Sequence, residues 1–187
     1  MKTAKFLFLL SLIFGISFVS FAQNEIDLLI LNKKYNEALA KIEQQILQSP
    51  TSENYFKKGL IYGNLQKYKE AVSAFSEALK FQPDNVEILS EIAEDLSILG
   101  NQQDAIGYYK KAISIEPQNL ALKAKLGRVY ISKKEIKKAY ELFSEIYATD
   151  STNVYWNKQL AFCSFQVGKR QQSVHLYEMV LEANPRD

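Results

Sequence analysis

The chain has 187 residues, 47% hydrophobic and 24% charged, which are values of a folded globular chain rather than a disordered one. A formal net charge of +2 supplies no general drive toward nucleic acid or anionic lipid. The lone Cys163 excludes an internal disulfide, so stability must come from packing.

The chain opens with a basic start, Lys2 and Lys5, followed by an apolar run from Phe6 to Val19 and then Ser20-Phe21-Ala22. That order predicts a secretory signal peptide over 1–22, cleaved after Ala22. The run is shorter than the ~20 residues a bilayer span needs, so no membrane span is expected after cleavage. No Cys stands directly after the expected cleavage, so a lipid anchor there is not expected. Loss of Lys2 and Lys5 takes 23 basic residues to 21, equal to the 21 acidic ones, so the mature chain is formally neutral. Export to the periplasm, the cell envelope or the exterior is expected. Twenty Lys against three Arg fits an AT-rich bacterial genome.

Residues 23–187 form the predicted folded domain. Its helices are expected over 24–32, 35–48, 52–65, 68–81, 86–99, 102–115, 120–133, 136–149, 154–167 and 170–183, with no strand. The four prolines, Pro50, Pro83, Pro117 and Pro185, are separated by 33, 34 and 68 residues, the last being twice 34. The missing beat falls on Ser151. Such a period marks stacked helix–turn–helix units: about 24–51, 52–85, 86–119, 120–153 and 154–187.

Small residues recur at the eighth position of the last four units: Gly59, Ala93, Gly127 and Ala161. They recur at the twentieth position of all five: Ala38, Ala71, Ala105, Ala139 and Ser173. A bulky residue follows four later: Ile42, Phe75, Tyr109, Phe143 and Tyr177. Small residues where two helices cross let the backbones approach, and the bulky one fills the wedge beyond. Proline ends the second helix of every unit except 120–153, where Ser151 stands in its place. Asn85, Asn119 and Asn153 stand where the next helix needs an N-cap, and Gly100 and Gly168 stand in the turn between helices.

These positions resemble the tetratricopeptide repeat over essentially all of 24–187, best in 52–85, where Tyr55, Gly59, Tyr62, Ala71, Phe75, Ala78 and Pro83 are in phase. The resemblance implies an all-α solenoid, a right-handed superhelix whose concave groove is lined by the first helix of each unit. It also implies a scaffold that binds a protein or peptide segment. The groove positions carry Phe56, Leu60 and Asn64; Glu87, Glu91 and Glu94; Lys125, Arg128 and Ile131; then Tyr155, Lys158, Phe162 and Phe165. The order reads apolar, acidic, basic, aromatic, a surface suited to an extended or helical peptide. In register, Glu91 faces Lys125 and Glu94 faces Arg128, so each set is also able to pair within the stack. Some members of the family bind the C-terminal carboxylate of heat-shock chaperones through a Lys/Asn/Arg clamp. The matching positions here are Phe56, Leu60, Glu91, Ala121 and Lys125, so most of that clamp is absent.

Catalysis finds little in the sequence. His175 has no Cys or carboxylate at metal-ligand spacing, no Gly-rich phosphate loop or GxSxG occurs, and Cys163 lies in the apolar stretch Leu160 to Phe165. Glu94 and Asp95 are adjacent acids that point about 100° apart on a helix and do not share one site. No catalytic residue, cofactor or metal is expected. The basic residues Lys123, Lys125, Arg128, Lys133, Lys134, Lys137 and Lys138 spread over several helix faces and read as solubilising charge. The last unit leaves Val174, Tyr177, Val180 and Leu181 as an edge for self-association. Two alternatives to a peptide scaffold follow: a subunit that assembles through that edge, or the non-catalytic part of a larger protein.

Overall fold

Asn85, Asn119 and Asn153 each stand one residue before a helix and supply a hydrogen bond that starts it. In the computed structural model their side-chain oxygens accept from the backbone N–H of Ile88, Leu122 and Trp156, each at 3.1 Å. Thr51 accepts from the Asn54 N–H in the same way, at 3.2 Å. The structure describes residues 25–183, so the expected signal peptide and the final Pro185 lie outside the described residues.

Among these residues there are ten helices and no strand. They are α1 (25–31), α2 (Tyr35–Gln48), α3 (Ser52–Asn64), α4 (Tyr68–Phe81), α5 (Val86–Ile98), α6 (Gln102–Ile115), α7 (Leu120–Ser132), α8 (Ile136–Thr149), α9 (Val154–Gln166) and α10 (Arg170–Ala183). The expected spans hold, except that α1, α3, α5, α7 and α9 each stop one residue sooner. The cause is a left-handed residue two places after each helix: Lys33, Gln66, Gly100, Lys134 and Gly168, with φ of 58°, 58°, 81°, 63° and 84°. Each reverses the chain and closes a paired set of backbone bonds, as in Gln66 N–H to Gly63 C=O and Lys67 N–H to Tyr62 C=O, both at 2.9 Å. Gly100 and Gly168 take this conformation freely, whereas Lys33, Gln66 and Lys134 hold it against the steric cost of a Cβ.

The chain divides into two compact bodies, one ending at Phe81 and one beginning at Gln82. In the first, α3 packs on both α2 and α4. Its core joins Ile26, Ala38, Ile42 and Ile61, with Leu29, Ile30 and Leu65 packed around them. In the second, α5 through α10 pack each on the next, and α5 also reaches α7.

The close approach within a helix pair is made between the small eighth position and the bulky residue on the partner helix. A Cβ added to Gly59 would lie 2.4 Å from the Phe75 ring, and one added to Gly127 would lie 2.7 Å from the Phe143 ring. Both rings are fully buried, a burial that stabilises by about 1.5–3 kcal/mol each. At the close of the chain, the Ser173 hydroxyl at the twentieth position donates to the Ala161 carbonyl at 2.9 Å, so the polar atom at that crossing is satisfied.

Candidate functional site

In the first body the expected groove residues Phe56 and Asn64 make contacts within the fold. The Phe56 ring lies 5.5 Å from the Phe75 ring, tilted by 46°. Leu60 is half-buried. Asn64 accepts from the Tyr35 hydroxyl at 3.0 Å and donates to the Leu60 carbonyl at 2.8 Å, which ties α3 to α2.

The second body places its corresponding residues differently. A cleft of about 170 Å³ is lined by Glu94, Ser97 and Ile98 of α5, Tyr109 of α6, and Lys125, Arg128, Val129 and Ser132 of α7. The register pairing expected from the repeat is replaced by a diagonal one: Lys125 Nζ sits 2.7 Å from Glu94 and donates to the Ser90 hydroxyl at 3.2 Å. A four-carbon side chain reaches along the groove between helices, so the closer oxygen wins over the equivalent one. Arg128 is exposed, and no carboxylate among the described residues forms an ion pair with it. Gln102 donates to Ser132 Oγ at 2.8 Å, fixing that hydroxyl at the cleft rim.

Beside the cleft, α5 carries a run of acids. Glu87 is exposed and Glu91 half-buried. Burial raises Glu91 above the usual carboxylate range; Lys125 opposes this, while Glu94 and Glu87 add to it. Asp95 is 6% exposed, and its Oδ2 is buried without a hydrogen-bond partner. Burial, with Glu91 and Glu94 adding to it, pushes Asp95 up to about 6. Burial also raises the Tyr109 phenol, with the Glu94 charge as the next cause and Arg128 opposing.

On α9, Tyr155, Phe162 and Phe165 are all exposed and lie at spacings that share one helix face. Lys158, on the same helix, is half-buried. On α10, Val174, Tyr177 and Leu181 are exposed as expected, but Val180 is only 3% exposed. The reason is helical phase: Val180 follows Leu176 by four residues, and Leu176 is buried as α10 packs on α9.

Two family models described as tetratricopeptide repeat match residues 52–85 and 98–146. These helix pairs are tetratricopeptide repeats. Hsp70-Hsp90 organizing protein 3 of Arabidopsis thaliana is 30% identical over 141 residues, which is 73% of this chain and 25% of that protein. Trafficking protein particle complex subunit 12 of Mus musculus is 25% identical over 129 residues, 65% of this chain and 16% of that protein. The chain thus spans a quarter or less of the length of these two relatives. Among solved structures, MamA from Desulfovibrio magneticus RS-1 superposes with a TM-score of 0.82 at 16% identity, covering 90% of this chain and 96% of that one. YrrB, described as a TPR protein with an unusual peptide-binding site, superposes with a TM-score of 0.74 at 18% identity, covering 87% and 84%. At these identities the likeness shows the fold.

The basic residues around α7 and α8 are mostly engaged locally. Lys123 meets Glu145 at 2.6 Å, and Lys133 and Lys138 both meet Glu135 at 2.6 Å. Their two hydrogen bonds hold Glu135 down at about 2. Cys163 is fully buried, and burial pushes its thiol up to about 11, so it stays protonated and packs as a small hydrophobe. His175 is exposed on α10. Among the described residues no group of three or more His, Cys, Asp or Glu is arranged to hold a metal ion, and no helix is long and apolar enough to cross a membrane.

Three polar cleft residues escape sequence reasoning, Ser97, Tyr109 and Ser132, as does the buried acid Asp95 next to Glu94. Asp95 had a readable signal. Its repeat position carries Ile61, Val129 and Cys163 in the other three full-length units, all buried, so an acid there breaks an apolar pattern. Tyr109 reads as a wedge-filling aromatic, and nothing in the pattern shows that it also lines a cleft.

Proposed function

We propose that this protein is an exported, non-enzymatic scaffold that binds a peptide or protein segment on the first helices of its second body, α5, α7 and α9. The observation that carries this reading is the exposed aromatic face of α9, Tyr155, Phe162 and Phe165, in the same body as a cleft edged by the exposed Arg128. Exposed aromatic residues beside polar groups mark interaction surfaces, and aromatic and Arg side chains dominate binding energy where they are buried by a partner. The tetratricopeptide relatives point the same way, since YrrB is described as having a peptide-binding site and the plant relative as an organizing protein. The mostly missing carboxylate clamp separates this chain from chaperone binding.

Phe162→Ala combined with Phe165→Ala is expected to weaken a peptide selected on the wild-type protein by at least about tenfold while leaving helical circular dichroism unchanged. Retained affinity removes the α9 face from the site. For export, N-terminal sequencing of the protein from its native host is expected to begin at Gln23; a chain still carrying Met1 contradicts it.

A second reading rests on α10. Ile106 and Tyr109 of α6 are 4% and 2% exposed beneath α7, whereas Val174 and Tyr177 hold the same repeat positions and are 57% and 37% exposed. This edge is proposed as a self-association surface, either in a free-standing assembly subunit or within a larger protein. Sedimentation that stays monomeric up to about millimolar protein counts against it.

A further inference from the structure

Four acids crowd one helix in the second body. Glu87, Glu91, Glu94 and Asp95 of α5 lie at spacings of four, three and one, and electrostatic influence between them is evident, since Glu87 and Glu94 both raise Glu91 and Glu91 and Glu94 both raise Asp95. One cation answers them by direct contact: Lys125, spent on Glu94 at 2.7 Å. Arg128 acts at longer range, through Tyr109. The exposed Glu87 and half-buried Glu91 keep no ion pair among the described residues. Like charges on one helix face repel, so this arrangement lowers the stability of the unliganded helix.

Asp95 supplies an independent observation. Its carboxylate is more than nine-tenths buried, with Oδ2 unpartnered, in a repeat position that is apolar in the other units. An acid held there with an unpartnered oxygen adds to the negative potential of Glu91 and Glu94, whose charges act on it in turn. The groups that bear on it are Glu91 and Glu94 on α5 and Tyr109 from α6, and Tyr109 in turn lies under the influence of Arg128 from α7.

We propose that the acidic face of α5, with Glu87 and Glu91 as its direct contacts, receives a Lys or Arg side chain of the bound segment, so that the scaffold selects a basic partner over an acidic one. This rests on the binding face proposed above and names the chemistry of its occupant. Charge complementarity sets the choice: a basic group relieves the repulsion among the acids, and an anion increases it. Lys125 is then an internal competitor for the same carboxylates, and its removal frees Glu94 for the partner.

The test uses the whole chain and two fluorescent peptides with blocked termini. One carries lysines and phenylalanines spaced by serine and glycine; the other has every lysine replaced by glutamate. Anisotropy at low salt is expected to show the basic peptide binding at least about tenfold more tightly than the acidic one. Glu87→Gln with Glu91→Gln is expected to remove that preference while raising the melting temperature, which separates lost binding from lost folding. Lys125→Ala is expected to tighten the basic peptide by a few-fold, an effect of opposite sign that general destabilisation cannot produce. Affinity is also expected to fall as pH drops through about 6, where Asp95 takes up its proton. Equal binding of both peptides, or an intact preference in the double Gln variant, overturns the proposal. If Phe162→Ala with Phe165→Ala still abolishes binding in that case, the binding face stands and only its charge selectivity falls. Binding by neither peptide overturns the basic-partner proposal; a selected peptide that also ignores the α9 double variant overturns the face itself.

Discussion

The two bodies spend the same repeat positions in different ways. In the first, Phe56 rests on Phe75, Asn64 is bonded to Tyr35, and Ile61 is buried among Ile26, Ala38 and Ile42. In the second, the slot of the half-buried Leu60 exposes Arg128 and Phe162, and the slot of Ile61 becomes the buried acid Asp95. A repeat pattern therefore fixes where a residue stands, while the neighbouring helices decide whether it stabilises or remains available. The first body is the one built for packing, and the second retains unpaired charge and uncovered aromatic surface.

The largest expected effect tests the packing side of this contrast. Phe75→Ala removes the ring that Phe56 rests on and that closes on Gly59, and is expected to lower stability by ~3–5 kcal/mol in denaturant unfolding. A loss below about 1 kcal/mol breaks the claim that these groove positions serve the core.

Asp95→Asn sharpens the other side. An acid whose folded value is raised to about 6 from 3.8 favours the folded state below about pH 4, and that contribution is lost as pH rises through 6. The Asn variant removes the penalty, so stability near neutral pH is expected to rise by ~1–2 kcal/mol, with little change below pH 4. A variant less stable than wild type at pH 7 shows that the carboxylate is satisfied rather than orphaned.

The smallest effect concerns the turns. Lys134 holds φ of 63° where Gly100 and Gly168 hold 81° and 84°. Lys134→Gly is expected to stabilise by ~0.5–1 kcal/mol in thermal melts. An unchanged or lower melting temperature indicates that the lysine side chain offsets the backbone strain.

Much of the architecture is legible in the amino-acid order. The spacing of Pro50, Pro83 and Pro117, the caps at Asn85, Asn119 and Asn153, and the turn glycines fix the long helices to within one residue. These are local signals, each acting within a few residues of the bond it makes. The candidate site is less legible, because it depends on how helices are rotated against one another. Lys125 selects Glu94 rather than its register partner Glu91 through side-chain reach, and Val180 turns inward by helical phase. Adjacency alone sets Asp95 apart from Glu94, yet burial makes the two charges interact.

The central claim is that the second body, not the first, carries the binding face. The most direct measurement is an amide NMR titration of the isotopically labelled chain with a peptide selected for binding. Shift changes concentrated on α5, α7 and α9 are the predicted result. Changes concentrated on α3, around Phe56, Leu60 and Asn64, contradict the account.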